Sequence, residues 1–215
     1  MQPGSDTSRI GLFGGSFDPP HLGHVALVEA ALDVLRLSEV WVIPAGRPVH
    51  RCLSGCASPE TRLRWMQRIF TGHARVRVLD WEVAAGEATP SIVTLRRFVA
   101  GFPDMLPVLL LGSDAFAGMD GWVEYPDHAA LCDVAVFGRV ACSTGNAGAA
   151  FHSMALPDWL GAPRGVGRRV DVDVSLPDVS ATEVRGMAMQ GKSLTGRVAE
   201  CVRPEIEQAY AVATV

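Results

Sequence analysis

The segment Gly14-Gly15-Ser16-Phe17-Asp18-Pro19-Pro20-His21-Leu22-Gly23-His24 concentrates residue types suited to holding phosphate. Two glycines remove side chains where a ligand has to approach the backbone. His21 and His24 are three residues apart, which on a helix places both on one face of the first turn. That turn also presents N–H groups without helical partners and the positive end of the dipole. Two imidazoles over such an end form a natural site for a phosphate group. Gly23 inside the helix costs about 1 kcal/mol relative to alanine, and a nucleotide approaching closely would supply the reason for it. A Gly-Gly turn or one surface histidine is ordinary; the combination, in a strand-loop-helix setting, is what points to phosphate. Far downstream, Ser180 with Glu183 three residues on has the spacing of a capping box and marks a second helix N-terminus.

Other chemistry-bearing patterns carry less. Gly186 to Ser193 matches the P-loop letter for letter. A P-loop follows a strand, however, whereas Gly186 lies inside the helix that Ser180 starts, and Gly191 reads as that helix's C-cap. His50, Cys52 and Cys56 have no familiar zinc spacing and lack a second ligand pair, so no metal site is expected. Arg62, Arg64 and Arg68 read as the solvated face of an amphipathic helix. No Gly-x-Gly-x-x-Gly follows the first apolar run, which speaks against a nicotinamide dehydrogenase, and nothing assembles a Ser-His-Asp hydrolase.

The elements that must position these residues follow from the apolar pattern. Ile10 to Phe13, Val40 to Ile43, Val76 to Leu79, Val108 to Leu111 and Val134 to Phe137 are apolar runs, continuous rather than alternating except where Arg77 interrupts the third. Strands buried on both faces read this way. Between the first two, Val25, Val28, Leu32 and Leu35 fall on one helical stripe. Ser58-Pro59 opens another helix, with Leu63, Met66 and Ile69 on its apolar side. Strand and helix alternation predicts a parallel sheet with helices on both faces. Ala141 to Arg169 shows no firm period and reads as loop with one short strand or helix. Val170 to Val174 reads as a last strand, and Arg203 to Ala211 as a closing helix begun by Pro204. With no internal repeat and no linker, residues 1–215 are expected to form one domain, about 180–215 being its helical C-terminal portion.

Composition bounds the partners. Nineteen Lys and Arg against 23 Asp and Glu leave a net charge of −4, which excludes a nucleic-acid clamp or polybasic membrane binder acting through net charge. With 48% hydrophobic and 20% charged residues, disorder is equally excluded. The longest apolar stretch, near Met105 to Leu111, is far short of the ~20 residues that span a bilayer. Five cysteines without a Cys-x-x-Cys, and a polar start from Met1 to Arg9, lead us to expect a cytoplasmic protein.

The first segment resembles the His-x-Gly-His signature of the nucleotidyltransferase superfamily. Its Phe-Asp-Pro-Pro-His form is similar to that of bacterial nicotinate-nucleotide adenylyltransferases. Val179-Ser180-Ala181-Thr182-Glu183-Val184-Arg185 resembles the second signature, Ile-Ser-Ser-Thr-x-x-Arg. Between them Gly112-Ser113-Asp114, Trp122 and Arg139 fall at matching places, so the likeness covers nearly the whole chain. It implies a Rossmann-like α/β fold of nucleotidyltransferase type. It also implies transfer of AMP from ATP to nicotinate mononucleotide, with magnesium, giving deamido-NAD and pyrophosphate without a covalent enzyme intermediate.

On this resemblance His21, His24 and Arg185 are the catalytic residues, and Gly14, Gly15, Ser16, Gly23, Ser180 and Thr182 bind ATP. Asp114, Trp122, Arg51 and Thr94 face the acceptor, and magnesium is held mainly by ATP phosphates and water. No nucleic acid or membrane partner is implied, and monomer and homodimer both stay open. Two departures stand out. Pro48-Val49-His50-Arg51 replaces Pro-Pro-His-Lys, and Thr89 to Leu95 replaces Ser-Tyr-Thr-x-Asp-Thr-Leu, the loop that helps recognise nicotinate. Nicotinamide mononucleotide and phosphopantetheine therefore remain alternative acceptors, and a nucleotide-binding sensor without turnover is the reading of another class.

Overall fold

The computed structural model describes residues 8–47, 57–138, 149–163 and 165–211. Its elements begin with β1 (Arg9–Gly15), α1 (Leu22–Val34), β2 (Glu39–Pro44), α2 (Pro59–Ile69) and β3 (Val76–Val78). There follow α3 (Trp81–Ala85), α4 (Ser91–Gly101), β4 (Leu106–Gly112) and α5 (Ser113–Ala117). The remainder is β5 (Asp133–Phe137), β6 (His152–Met154), α6 (Leu156–Gly161), β7 (Arg168–Val172), α7 (Ala181–Met189) and α8 (Arg203–Tyr210). The seven strands form one sheet in the order β3-β2-β1-β4-β5-β7-β6. Pairs β1–β4, β4–β5, β5–β7 and β6–β7 are parallel, with Gly11 opposite Val108, Leu109 opposite Val134 and Ala135 opposite Val170. Five successive residues are buried in β4 and in β5, as a sheet covered on both faces requires. The order reverses at β1, and in open α/β sheets ligands bind outside the strand carboxyl ends at such a reversal.

The chain forms two compact units. The first comprises Met1–Phe13, Glu29–Trp41 and Pro90–Ser175, and the second Gly14–Val28, Val42–Thr89 and Leu176–Val215. In the first, Trp41 packs edge-on against Phe98 and Phe102, with ring centroids 5.1 and 4.8 Å away. In the second, Trp65, Val184, Leu194, Val198, Val202, Ile206 and Tyr210 make a core beneath α7 and α8.

Two expectations change. The described part of Ala141 to Arg169 holds both a strand, β6, and a helix, α6. His152 and Ser153 of β6 are exposed and carry no apolar pattern, so nothing announced the strand. The segment Ser91 to Leu95, expected as a loop, is the beginning of helix α4 after an extended Pro90.

Candidate active site

The residues of the first motif and those of the second lie in the second unit. Gly14, next to last in β1, is exposed, and a Cβ there would meet nothing nearer than the Ile43 carbonyl at 4.0 Å, so the backbone stands open to a ligand. Phe17 follows with φ of 48°, a conformation bulky residues rarely adopt, and its ring fills the space a Cβ on Gly15 would need. The same ring lies edge-on to His24, with centroids 5.0 Å apart. An over-determined, strained turn of this kind is a hallmark of a functional loop.

His21 directly precedes α1, its carbonyl accepting from the His24 N–H at 3.0 Å. The two imidazoles stack at 3.7 Å and 25°. His24 Nδ1 accepts from the His21 backbone N–H at 3.2 Å, so the neutral His24 ring carries its proton on Nε2. His21 Nδ1 is buried without a partner. Burial lowers the His21 pKa to about 4, and burial with the neighbouring His21 lowers that of His24. Gly23 has a different reason from the nucleotide approach expected: a Cβ would sit 3.0 Å from His21 Nδ1 and 3.4 Å from the Pro177 carbonyl. Glycine is what lets the His21 ring lie back over the helix start.

This pair makes stability depend on pH. Above about 6.5 His21 is neutral in the folded and unfolded chain, and its contribution is level. Between there and about 4 the unfolded chain binds a proton that the folded chain refuses, so stability falls as pH falls. The melting temperature of the ligand-free protein should therefore drop more from pH 7 to pH 5 than that of His21→Asn; equal drops would contradict the assignment.

Arg62 corrects its sequence reading. It is 1% exposed rather than solvated, and it donates to the carbonyls of Ser16, Gly46 (2.8 Å) and Ala57 (3.3 Å). Its guanidinium thus supplies donors to backbone carbonyls of three segments, after β1, after β2 and before α2. Asp18, 2% exposed, accepts at Oδ1 from the Ala57 N–H (3.1 Å) and the Tyr210 hydroxyl.

From the second motif, Ser180 caps α7 by accepting from the Glu183 N–H at 3.1 Å. Arg185 donates to the Asp18 carbonyl and to Thr182 Oγ1 (3.2 Å). Arg185 thus brings the first motif and the second together. Gly186 is inside α7 and Gly191, with φ of 65°, lies just past its C-cap, which removes the strand-loop-helix setting a P-loop needs.

The acceptor candidates lie in the first unit, except Arg51, which is outside the described residues along with His50, Cys52, Cys56 and Arg139. Asp114 is exposed in the first turn of α5, and Thr94 is buried on α4. Trp122 is half-buried, unlike the buried Trp41, Trp65 and Trp159. Its ring meets His128 edge-on at 5.8 Å, and His128 Nε2 is 2.9 Å from the Ser91 hydroxyl. Sequence reasoning missed His128, as it missed Tyr210 and Arg62; an isolated histidine in an irregular stretch carries no pattern.

The cytidylyltransferase-like family model matches residues 12–187. A Thermotoga maritima protein named "Probable nicotinate-nucleotide adenylyltransferase" is 33% identical over 98% of this chain and 99% of that one. A Bordetella petrii protein of the same name is 37% identical over 87% and 90%. The solved structure of "Plasmodium falciparum nicotinic acid mononucleotide adenylyltransferase complexed with NaAD" superposes with a TM-score of 0.72 at 15% identity, covering 94% of this chain and 95% of that one. The structural likeness shows the shared Rossmann-like nucleotidyltransferase fold. With identity of this order along nearly its full length, the chain belongs to the cytidylyltransferase-like family and, within it, to the nicotinate-nucleotide adenylyltransferases.

Proposed function

We propose that the protein transfers the adenylyl group of ATP to nicotinate mononucleotide, forming deamido-NAD and pyrophosphate in NAD biosynthesis. The observation that carries the reading is the pair of stacked imidazoles at the start of α1, with Arg185 joined through Asp18 to the same loop. The phosphate oxygen of the acceptor attacks the α-phosphorus in line. The bond from that phosphorus to the oxygen bridging to the β-phosphate breaks, and pyrophosphate leaves with the electron pair. Such a transfer is positioning and charge stabilisation rather than protein nucleophilicity. His24 donates through Nε2–H, His21 stands beside it, and Arg185 offers planar donors. Ser180 and Thr182 hold the triphosphate from α7, Gly14, Gly15 and Ser16 let it approach the backbone, and Gly23 serves ATP binding by making room for the His21 ring.

Among the described residues no group of three or more His, Cys, Asp or Glu is arranged to hold a metal ion. Magnesium would arrive on ATP, held mainly by phosphate oxygens and water, and would neutralise triphosphate charge. No helix among the described residues is long and apolar enough to cross a membrane. We read the protein as cytoplasmic from its cysteine usage, five without a Cys-x-x-Cys.

On the acceptor side Trp122 stacks on the pyridine ring, Asp114 binds the ribose, and Thr94 and Arg51 are further acceptor-binding residues on the family resemblance. Trp122→Ala should raise the acceptor KM about tenfold while the ATP KM moves less than twofold, since a base–aromatic stack is worth roughly 1–3 kcal/mol. Equal increases in both would contradict the stack. Product analysis tests the function itself: ATP, magnesium and nicotinate mononucleotide should give deamido-NAD and pyrophosphate in equal amounts, and ATP cleavage without a dinucleotide would overturn it.

A further inference from the structure

We propose that Tyr210, on the last helix α8, is a positioning residue for the ATP loop and acts through Asp18; this rests on the assignment of that loop to ATP. The Asp18 carboxylate is buried, and the Ala57 N–H and the Tyr210 hydroxyl both donate to its Oδ1. Its Oδ2 is buried with no partner, so the carboxylate depends on two donors meeting one oxygen. The main-chain carbonyl of the same residue receives Arg185. One residue of the first motif therefore ties together α7, α8 and the segment leading into α2.

Tyr210 gains nothing from its hydroxyl as a packing residue. Its ring lies among Trp65, Val184, Val198, Val202 and Ile206, 6.3 Å from the Trp65 ring, in surroundings that phenylalanine would fill equally well. A buried hydroxyl needs a partner, and Asp18 is that partner. Between Asp18 and His21 stand only Pro19 and Pro20, whose φ angles are locked. A shift of the Asp18 carboxylate is thus passed along a stiff link to the point where His21 enters α1, and across the Asp18 carbonyl to Arg185. Removing one hydroxyl on α8 loosens both phosphate-binding groups together.

The test is Tyr210→Phe, which keeps the ring, read by calorimetric binding of a non-hydrolysable ATP analogue, by steady-state kinetics and by melting temperature. The analogue Kd and the ATP KM should rise about tenfold, which corresponds to 1.4 kcal/mol, while the acceptor KM moves less than twofold. In an Asp18→Ala background the same substitution should change nothing further, because the path from hydroxyl to loop is already cut. A lower melting temperature with unchanged analogue affinity would make Tyr210 a packing residue only. An undiminished effect in the Asp18→Ala background would overturn the route through Asp18. Should Tyr210→Phe not fold, Asp18→Ala decides: unchanged analogue affinity overturns the proposal, and a tenfold loss supports it. If the wild type itself does not bind the analogue, the ATP assignment falls and this proposal with it.

Discussion

His24→Ala is expected to lower kcat by about 10²–10³ while leaving the melting temperature within a few degrees of wild type. The geometry explains why one imidazole carries so much. The His21 backbone N–H occupies Nδ1 of His24, so the proton is held on Nε2 before any ligand arrives. Phe17 closes over the edge of the ring and His21 stacks on its face, so the donor is preorganised. A preorganised donor needs no reorientation as charge develops at the α-phosphoryl group, and for that reason its loss appears in kcat. The ring stands on the first turn of α1 against Phe17 and His21, outside the apolar cores, so alanine leaves those cores alone. Near-normal kcat in a folded His24→Ala protein would remove this role.

Arg185→Ala should be of similar size but of different character, raising the ATP KM at least tenfold as well as lowering kcat. Its guanidinium joins the Asp18 carbonyl to Thr182 Oγ1, so it shapes the loop and stands ready to meet phosphate. Arg185→Lys should recover little, because a point charge cannot keep the carbonyl, the hydroxyl and a phosphate in one plane. Full rescue by lysine would show that charge alone matters there.

The readable part of the fold was the part governed by burial. β1, β2, β4 and β5 stand in the sequence as continuous apolar runs because both of their faces are covered. The starts of α2 and α7 were equally plain, since Ser58 and Ser180 cap them. β6 was hidden because exposed residues leave no period, and α6 because a six-residue helix with Trp159 as its buried side chain is too short to show one. Arg62 misled because an arginine on an amphipathic helix usually points to water. Here carbonyls of three separate segments, at Ser16, Gly46 and Ala57, take its donors, and no local pattern encodes that. The histidine pair was legible from spacing alone, whereas its tautomer and the cause of Gly23 needed coordinates. Asp18 with Tyr210 was invisible because its partners lie far apart in the chain.

The acceptor is where family membership and local sequence pull apart, since Pro90 and Val93 stand where relatives carry Tyr and Asp. Pyrophosphate release with ATP and magnesium, offering nicotinate mononucleotide, nicotinamide mononucleotide and phosphopantetheine in parallel, addresses this directly. A kcat/KM for nicotinate mononucleotide well above both others is the predicted result. Preference for another acceptor, or no release with any despite ATP binding, would contradict it.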